Sequence, residues 1–205
     1  MCHALQKCVA HRVMARRKVN FYKGSYYHIY NRGANRESIF RSNENYLFLL
    51  RRFGEALAGK SIAVIAYCLM PNHYHFLLRQ DGETIISDLM QETFNSYSKA
   101  FNKMYNRTGT LFEGPFKSIH VDKNNYLIHL CRYIHRNPVE ADLVNNLTEW
   151  PFSNYPEWIG KRSGRLVDLA LIKSYFMTAE SYREFVLDCS IDKKKPGDLS
   201  NYLFD

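Results

Sequence analysis

Residues 61–79, SIAVIAYCLMPNHYHFLLR, decide how this chain folds. A strongly β-forming run leads to Pro71-Asn72, a dipeptide suited to a tight turn, and a second apolar run follows, so the stretch predicts a β-hairpin. Within the second strand His73 and His75 stand two residues apart. Side chains alternate across a strand, so both imidazoles project from one face while Tyr74 and Phe76 project from the other. That spacing offers two nitrogen donors to one point. Taken alone it is a weak signal, because polar-faced strands also carry histidines.

Outward from the hairpin, the hydrophobic period switches between strand and helix. SYYHIYNRG (25–33) reads as a strand ended by Gly33, and NENYLFLLRRFGEAL (43–57) as a helix stopped at Gly59. From Ile86, apolar residues recur every three or four positions through Met90, Phe94, Tyr97, Phe101 and Met104, which predicts a long helix ending near 106–109. PFKSIHV (115–121) is a fourth strand, and NNYLIHLCRYIHRN (124–137) a helix opened by Asn124 or Asn125 and stopped by Pro138. The order β-α-β-β-α-β-α predicts an α+β fold: a ferredoxin-like β-α-β-β-α-β sheet, two crossover helices on one face, an additional C-terminal helix and an irregular tail. Three segments result: a basic arm over 1–20, a main domain over 21–145, and an extension over 146–205. The extension contains TEWPFSNYPEWIG (148–160), expected to pack irregularly, and YREFVLD (182–188), expected to be a small helix.

Composition narrows the partners. The 205 residues include 46% apolar ones, enough for one well-cored domain, and 28 Lys and Arg against 20 Asp and Glu give a formal charge of +8. A basic balance favours nucleic acid or an anionic surface as partner. No apolar run approaches the roughly 18 residues of a membrane span, and the N-terminal stretch is broken by Gln6, Lys7, His11 and Arg12, so a soluble, cytoplasmic protein is expected. Five scattered cysteines, without a C-x-x-C pair, indicate neither a disulfide framework nor a thiolate zinc site. The basic arm (Lys7, Arg12, Arg16, Arg17, Lys18) is open to three readings: a disordered end, a phosphate-binding arm, or residues flanking a start of translation at Met14.

On the last predicted helix Tyr133 and Asn137 are four apart, on nearly the same face, along one edge of the apolar stripe of Leu127, Leu130 and Ile134. Each has an ordinary explanation, the tyrosine as one of 15 and the asparagine as a helix end. Their combination with the His-x-His strand is what draws attention to them.

The motifs YCLMPNHYHFLL (67–78), YLIHLCRYIHRNPVEADLV (126–144) and WPFSNY (150–155) resemble the HUH single-tyrosine transposases of single-stranded DNA, particularly the REP-associated tyrosine transposases. YHIYNRGANRESIF (27–40) and YNRTGTLFEGPFKS (105–118) are similar to the same family, and the resemblance spans about residues 21 to 160. It implies that His73 and His75 are the paired metal ligands, Asn137 the third ligand and Tyr133 the catalytic nucleophile. It also implies a Mg²⁺ or Mn²⁺ cofactor, a hairpin-containing single-stranded DNA substrate and a monomer rather than a homodimer. Tyr74 stands where the family usually has a bulky hydrophobe. Arg107, Lys117, Lys123, Arg132 and Arg136 are the expected phosphate contacts, and Tyr27, Tyr105 and Phe112 are candidates to stack on bases. Two other readings stay open: a non-catalytic nucleic-acid-binding module on the same sheet, and a zinc hydrolase using His73, His75 and a distant histidine such as His120.

Overall fold

The chain, described here by a computed structural model over residues 19–122 and 124–188, runs β1 (Tyr26–Arg32), α1 (Asn43–Leu57), β2 (Ile62–Met70), β3 (His73–Gln80), α2 (Ile86–Met104), β4 (Lys117–Val121) and α3 (Asn124–Glu140). Three short helices follow, α4 (Tyr155–Trp158), α5 (Ala170–Tyr175) and α6 (Ala179–Leu187). Most of the basic arm and Lys123 lie outside the described residues, as do the side chains of Asn124 and Asn125, the expected opening cap of α3. No described helix is long and apolar enough to cross a membrane.

The four strands form one antiparallel sheet in the order β2-β3-β1-β4. β1 lies between β3 and β4, so each strand-helix-strand unit brackets a strand from the other unit, which is the ferredoxin-like arrangement expected from the element order. Alternation sorts the side chains into two cores. Tyr27, Ile29, Leu69, Tyr74, Phe76 and Leu78 pack under α1 and α2. Leu77, Cys68, Met70 and Val121 pack on the opposite face, against Leu127, Leu130, Cys131 and Ile134 of α3 and the C-terminal helices. The sheet is thus covered on both faces.

A register shift between Val64 and Ala66 breaks the β2–β3 ladder. Such a bulge frees a backbone group from strand pairing. Here the Ile65 carbonyl accepts from Asn154 Nδ2 at 2.9 Å and from Trp158 Nε1 at 3.1 Å, which ties the 150–158 segment to the sheet. Arg162 secures that segment by donating to the carbonyls of Pro151 and Ser153 and to Glu157. Residues 150–162 are therefore tied down more closely than their irregular sequence suggests. The helix α6 also starts earlier than expected, because Thr178 and Ser181 form a reciprocal capping box.

Pro138 does not stop α3, which continues to Glu140. The missing N–H removes a single bond in the final turn. Beyond it, the N–H groups of Ala141 and Leu143 bond the carbonyls of Asn137 and Pro138 at 2.9 Å each, so the end of the helix stays satisfied.

Candidate active site

β3 and α3 carry the four residues that the sequence singled out, and the fold brings them to one place. The rings of His73 and His75 lie 5.1 Å apart between centroids. The Tyr133 ring stands edge-on to His75 at 5.5 Å, and His73 Nε2 lies 3.4 Å from Asn137 Oδ1. Asn137 Nδ2 donates to the Tyr133 carbonyl at 2.9 Å. That bond fixes the amide: its nitrogen belongs to the helix and its oxygen to the histidine side. Tyr74, between the histidines, faces the other way and stacks on Phe94 at 4.3 Å, as strand alternation requires.

Both imidazoles are held below their ordinary pKa. For His73 the main cause is burial, with the nearby Arg32 adding to it and the contact with Asn137 opposing it. His75 lies well below, through burial first and then the neighbouring His28 and His73. Neutral imidazoles keep a lone pair to donate at neutral pH. Among the described residues no group of three His, Cys, Asp or Glu gathers to hold a metal, so any ion here depends on the Asn137 amide as third donor. The donor set of two nitrogens and one amide oxygen suits Mg²⁺ or Mn²⁺ with positions left open. Two donors about 2.1 Å from a common octahedral ion lie about 3 Å apart, close to the His73–Asn137 separation, so these residues fit the ion.

The expected phosphate contacts separate into groups. Lys117, exposed on β4, pairs with Tyr30 in the sheet and holds its ammonium 5.8 Å from the Tyr30 ring, which is 6.2 Å from His75. It is beside the histidines. Arg107 pairs with Glu37 at 3.3 Å. Arg132 is buried, donating to the carbonyls of Phe185 and Asp188 at 3.1 and 2.7 Å, and Arg136 donates to Glu140 and to the Val186 carbonyl. These two cations hold the C-terminal end of α6, where exposed carbonyls favour positive charge. Both are among the expected phosphate contacts, and both are engaged in these bonds to α6.

The stacking candidates are also packed. Tyr27 is fully buried and its hydroxyl donates to the Asn20 carbonyl, Phe112 packs on Tyr74 and Phe94, and Tyr105 donates to Asn45. His120 sits against Tyr27, on the α1/α2 side of the sheet and thus opposite His73 and His75. His120 is thereby removed as a third ligand for the zinc reading.

Two neighbours of the histidines escaped the sequence reading. His28 on β1 is fully buried with its Nε2 at 2.9 Å from His75 Nδ1, and Asn72 Oδ1 is 2.7 Å from His73 Nδ1. The signal for His28 was its even spacing with Tyr26 and Tyr30 on a strand, but only the register, which sets His28 opposite Leu77, makes it a diagonal neighbour of His75.

The sequence model of the family "Transposase IS200 like" matches residues 21–137, more than half of the chain. With the α+β fold, this match defines a protein of the HUH single-tyrosine class. The chain belongs to the IS200-like transposase family, and so to a group of DNA-cleaving enzymes. A solved structure described as a REP-associated tyrosine transposase bound to a REP hairpin is similar in fold, with TM-score 0.58 and 17% identity over 77% of this chain and 96% of that one. A crystal structure from Deinococcus radiodurans R1, provisionally assigned as a transposase, overlaps less, with TM-score 0.40 and 15% identity over 58% of this chain and 95% of that one, and adds nothing to the assignment. No curated protein matches the chain.

Proposed function

We propose that this transposase is a metal-dependent single-strand DNA endonuclease and strand transferase, with Tyr133 as nucleophile and His73, His75 and Asn137 as ligands of Mg²⁺ or Mn²⁺. The observation that carries the reading is the meeting of the Tyr133 ring, the two histidines and the Asn137 oxygen within one chain. A complete set in one protomer also favours a monomer. Hairpin-containing DNA is the proposed substrate, in line with the hairpin bound to the similarly folded REP-associated transposase. The buried free thiols Cys68 and Cys131 suit a reducing cytoplasm.

When bound, the ion supplies Lewis acidity, drawing charge from the non-bridging oxygens of the scissile phosphate. The Tyr133 phenol gives its proton to solvent and its oxygen attacks phosphorus in line; the bond between phosphorus and the 3′ oxygen breaks, and that oxygen leaves with a proton taken from solvent. The products are a 5′-phosphotyrosine and a free 3′-hydroxyl. The new ester retains the phosphodiester energy, so a 3′-hydroxyl of another strand can displace Tyr133 and complete a transfer without ATP. His75 is fully buried and His73 partly so, which limits competing attack by water at the pair. Lys117 meets the DNA backbone beside the histidines, which makes affinity depend on salt.

Incubation with a pool of single-stranded hairpin oligonucleotides and Mn²⁺, followed by mass analysis, tests this reading. A DNA adduct on Tyr133 is expected, absent in Tyr133→Phe and His73→Ala proteins. Cleavage that persists unchanged in Tyr133→Phe removes the nucleophile, and binding without any cleavage supports the non-catalytic module instead.

A further inference from the structure

A neutral imidazole carries one N–H, and the nitrogen that keeps it cannot bind a cation. In both histidines of the pair, Nδ1 is engaged from outside the site. His73 Nδ1 lies 2.7 Å from Asn72 Oδ1. Asn72 turns its Nδ2 to the Arg36 carbonyl at 3.3 Å, where only a donor fits, so Oδ1 is an acceptor and the proton of the shorter contact belongs to His73. His75 Nδ1 meets His28 Nε2 at 2.9 Å, with the two rings inclined by only 21°. Resting on the metal site read above, we propose that Asn72 and His28 are positioning residues that accept the Nδ1 protons of His73 and His75, leaving both Nε2 lone pairs for the divalent ion.

One consequence is visible across the site. With its proton on Nδ1, His73 presents the Nε2 lone pair to the Asn137 oxygen at 3.4 Å, and that oxygen is fixed as an acceptor because its amide nitrogen donates to the Tyr133 carbonyl. Two acceptors that face each other repel unless a cation lies between them. The arrangement is that of a cation site prepared in advance. For His75 the same logic applies from the other side: only Nε2 remains for a ligand role once Nδ1 is tied to His28.

The two supports come from rigid parts of the fold. His28 is on the central strand β1, flanked on both sides by pairing. Asn72 is in the β2–β3 turn, where the Pro71 carbonyl accepts from the N–H groups of Ile39 and Phe40 and the Asn72 carbonyl from that of Gly33. The carbonyl that Asn72 grips belongs to Arg36, which with Asn35 forms a consecutive pair of non-glycine residues at positive φ, 59° and 55°. Such backbone persists only where its surroundings hold it.

The test uses the full chain. Mn²⁺ affinity is measured by electron paramagnetic resonance for wild type, His73→Ala, His28→Phe, His28→Gln and Asn72→Ala, with histidine tautomers of the metal-free wild type read by long-range ¹⁵N–¹H NMR. Loss of an outer partner typically weakens metal binding about 10- to 100-fold, which is the effect expected for His28→Phe and Asn72→Ala. His28→Gln puts an amide where His28 Nε2 was and should restore most of the loss, which a general packing defect would not allow. The NMR spectra should show the proton on Nδ1 of both His73 and His75. A proton on Nε2 of either ring overturns the proposal without recourse to variants, and so does a His28→Phe protein that binds Mn²⁺ as tightly as wild type while His73→Ala does not bind. Wild-type Mn²⁺ binding that His73→Ala leaves intact overturns the metal site itself.

Discussion

Replacing Asn154 with alanine should cost this protein a large part of its stability. Asn154 is fully buried in the WPFSNY segment and joins three parts of the fold. Its Oδ1 accepts from the Tyr67 backbone N–H of β2 at 2.6 Å and from His135 Nε2 of α3 at 2.9 Å, while Nδ2 donates to the Ile65 carbonyl at the bulge. His135 Nδ1 in turn accepts from the Tyr182 hydroxyl of α6 at 2.6 Å. Alanine leaves two buried donors, on Tyr67 and His135, without an acceptor. Each orphan costs about 1–3 kcal/mol, and Ile65 keeps Trp158 Nε1, so the expected loss is about 4 kcal/mol. Against the ~5–15 kcal/mol that holds a typical domain, that is severe. Urea unfolding followed by circular dichroism, compared at constant m-value, measures it. A loss below about 1 kcal/mol would refute the claim that one amide satisfies these groups. Because α3 carries Tyr133 and Asn137, limited proteolysis should also cut the 150–188 segment of the variant faster.

Burial holds His135 at a pKa of about 4, below the ~6.5 of an unfolded chain. Between those values the unfolded state binds the extra proton, so the contribution is complete above about pH 6.5 and is lost as pH falls toward 4. It amounts to about 3 kcal/mol. The stability difference between wild type and His135→Gln, measured from pH 7 to 4, should shift by that amount in favour of the variant, and a flat difference contradicts it. At Gly33 an added Cβ would lie 2.1 Å from the Glu37 carbonyl oxygen and 3.0 Å from Ile39, so Gly33→Ala should destabilise by about 1–3 kcal/mol, read from urea unfolding. Lys117→Ala should weaken DNA binding equally for all sequences and reduce the salt slope of log K by about 1, as measured by fluorescence anisotropy at several salt concentrations. Arg132→Gln, by contrast, should leave that slope unchanged and lower stability, since Arg132 holds the end of α6.

The sequence by itself determined the element order, the hairpin and the side of the strand on which His73 and His75 stand, because periods of two and 3.6 residues are local properties of the chain. It also singled out Tyr133 and Asn137, through one helical turn of spacing and a family resemblance. Tertiary structure alone decided what lies across from those residues. Strand register made His28 a neighbour of His75, the turn aimed Asn72 at Arg36, and the α3–α6 contact set Arg132 and Arg136 against helix carbonyls. Charge in a sequence does not reveal its partner, because a guanidinium meets a buried carbonyl or a phosphate with the same donors. The polar ties of Asn154 were equally hidden, since the groups it satisfies lie far away in sequence and gather only when the sheet and α3 have packed.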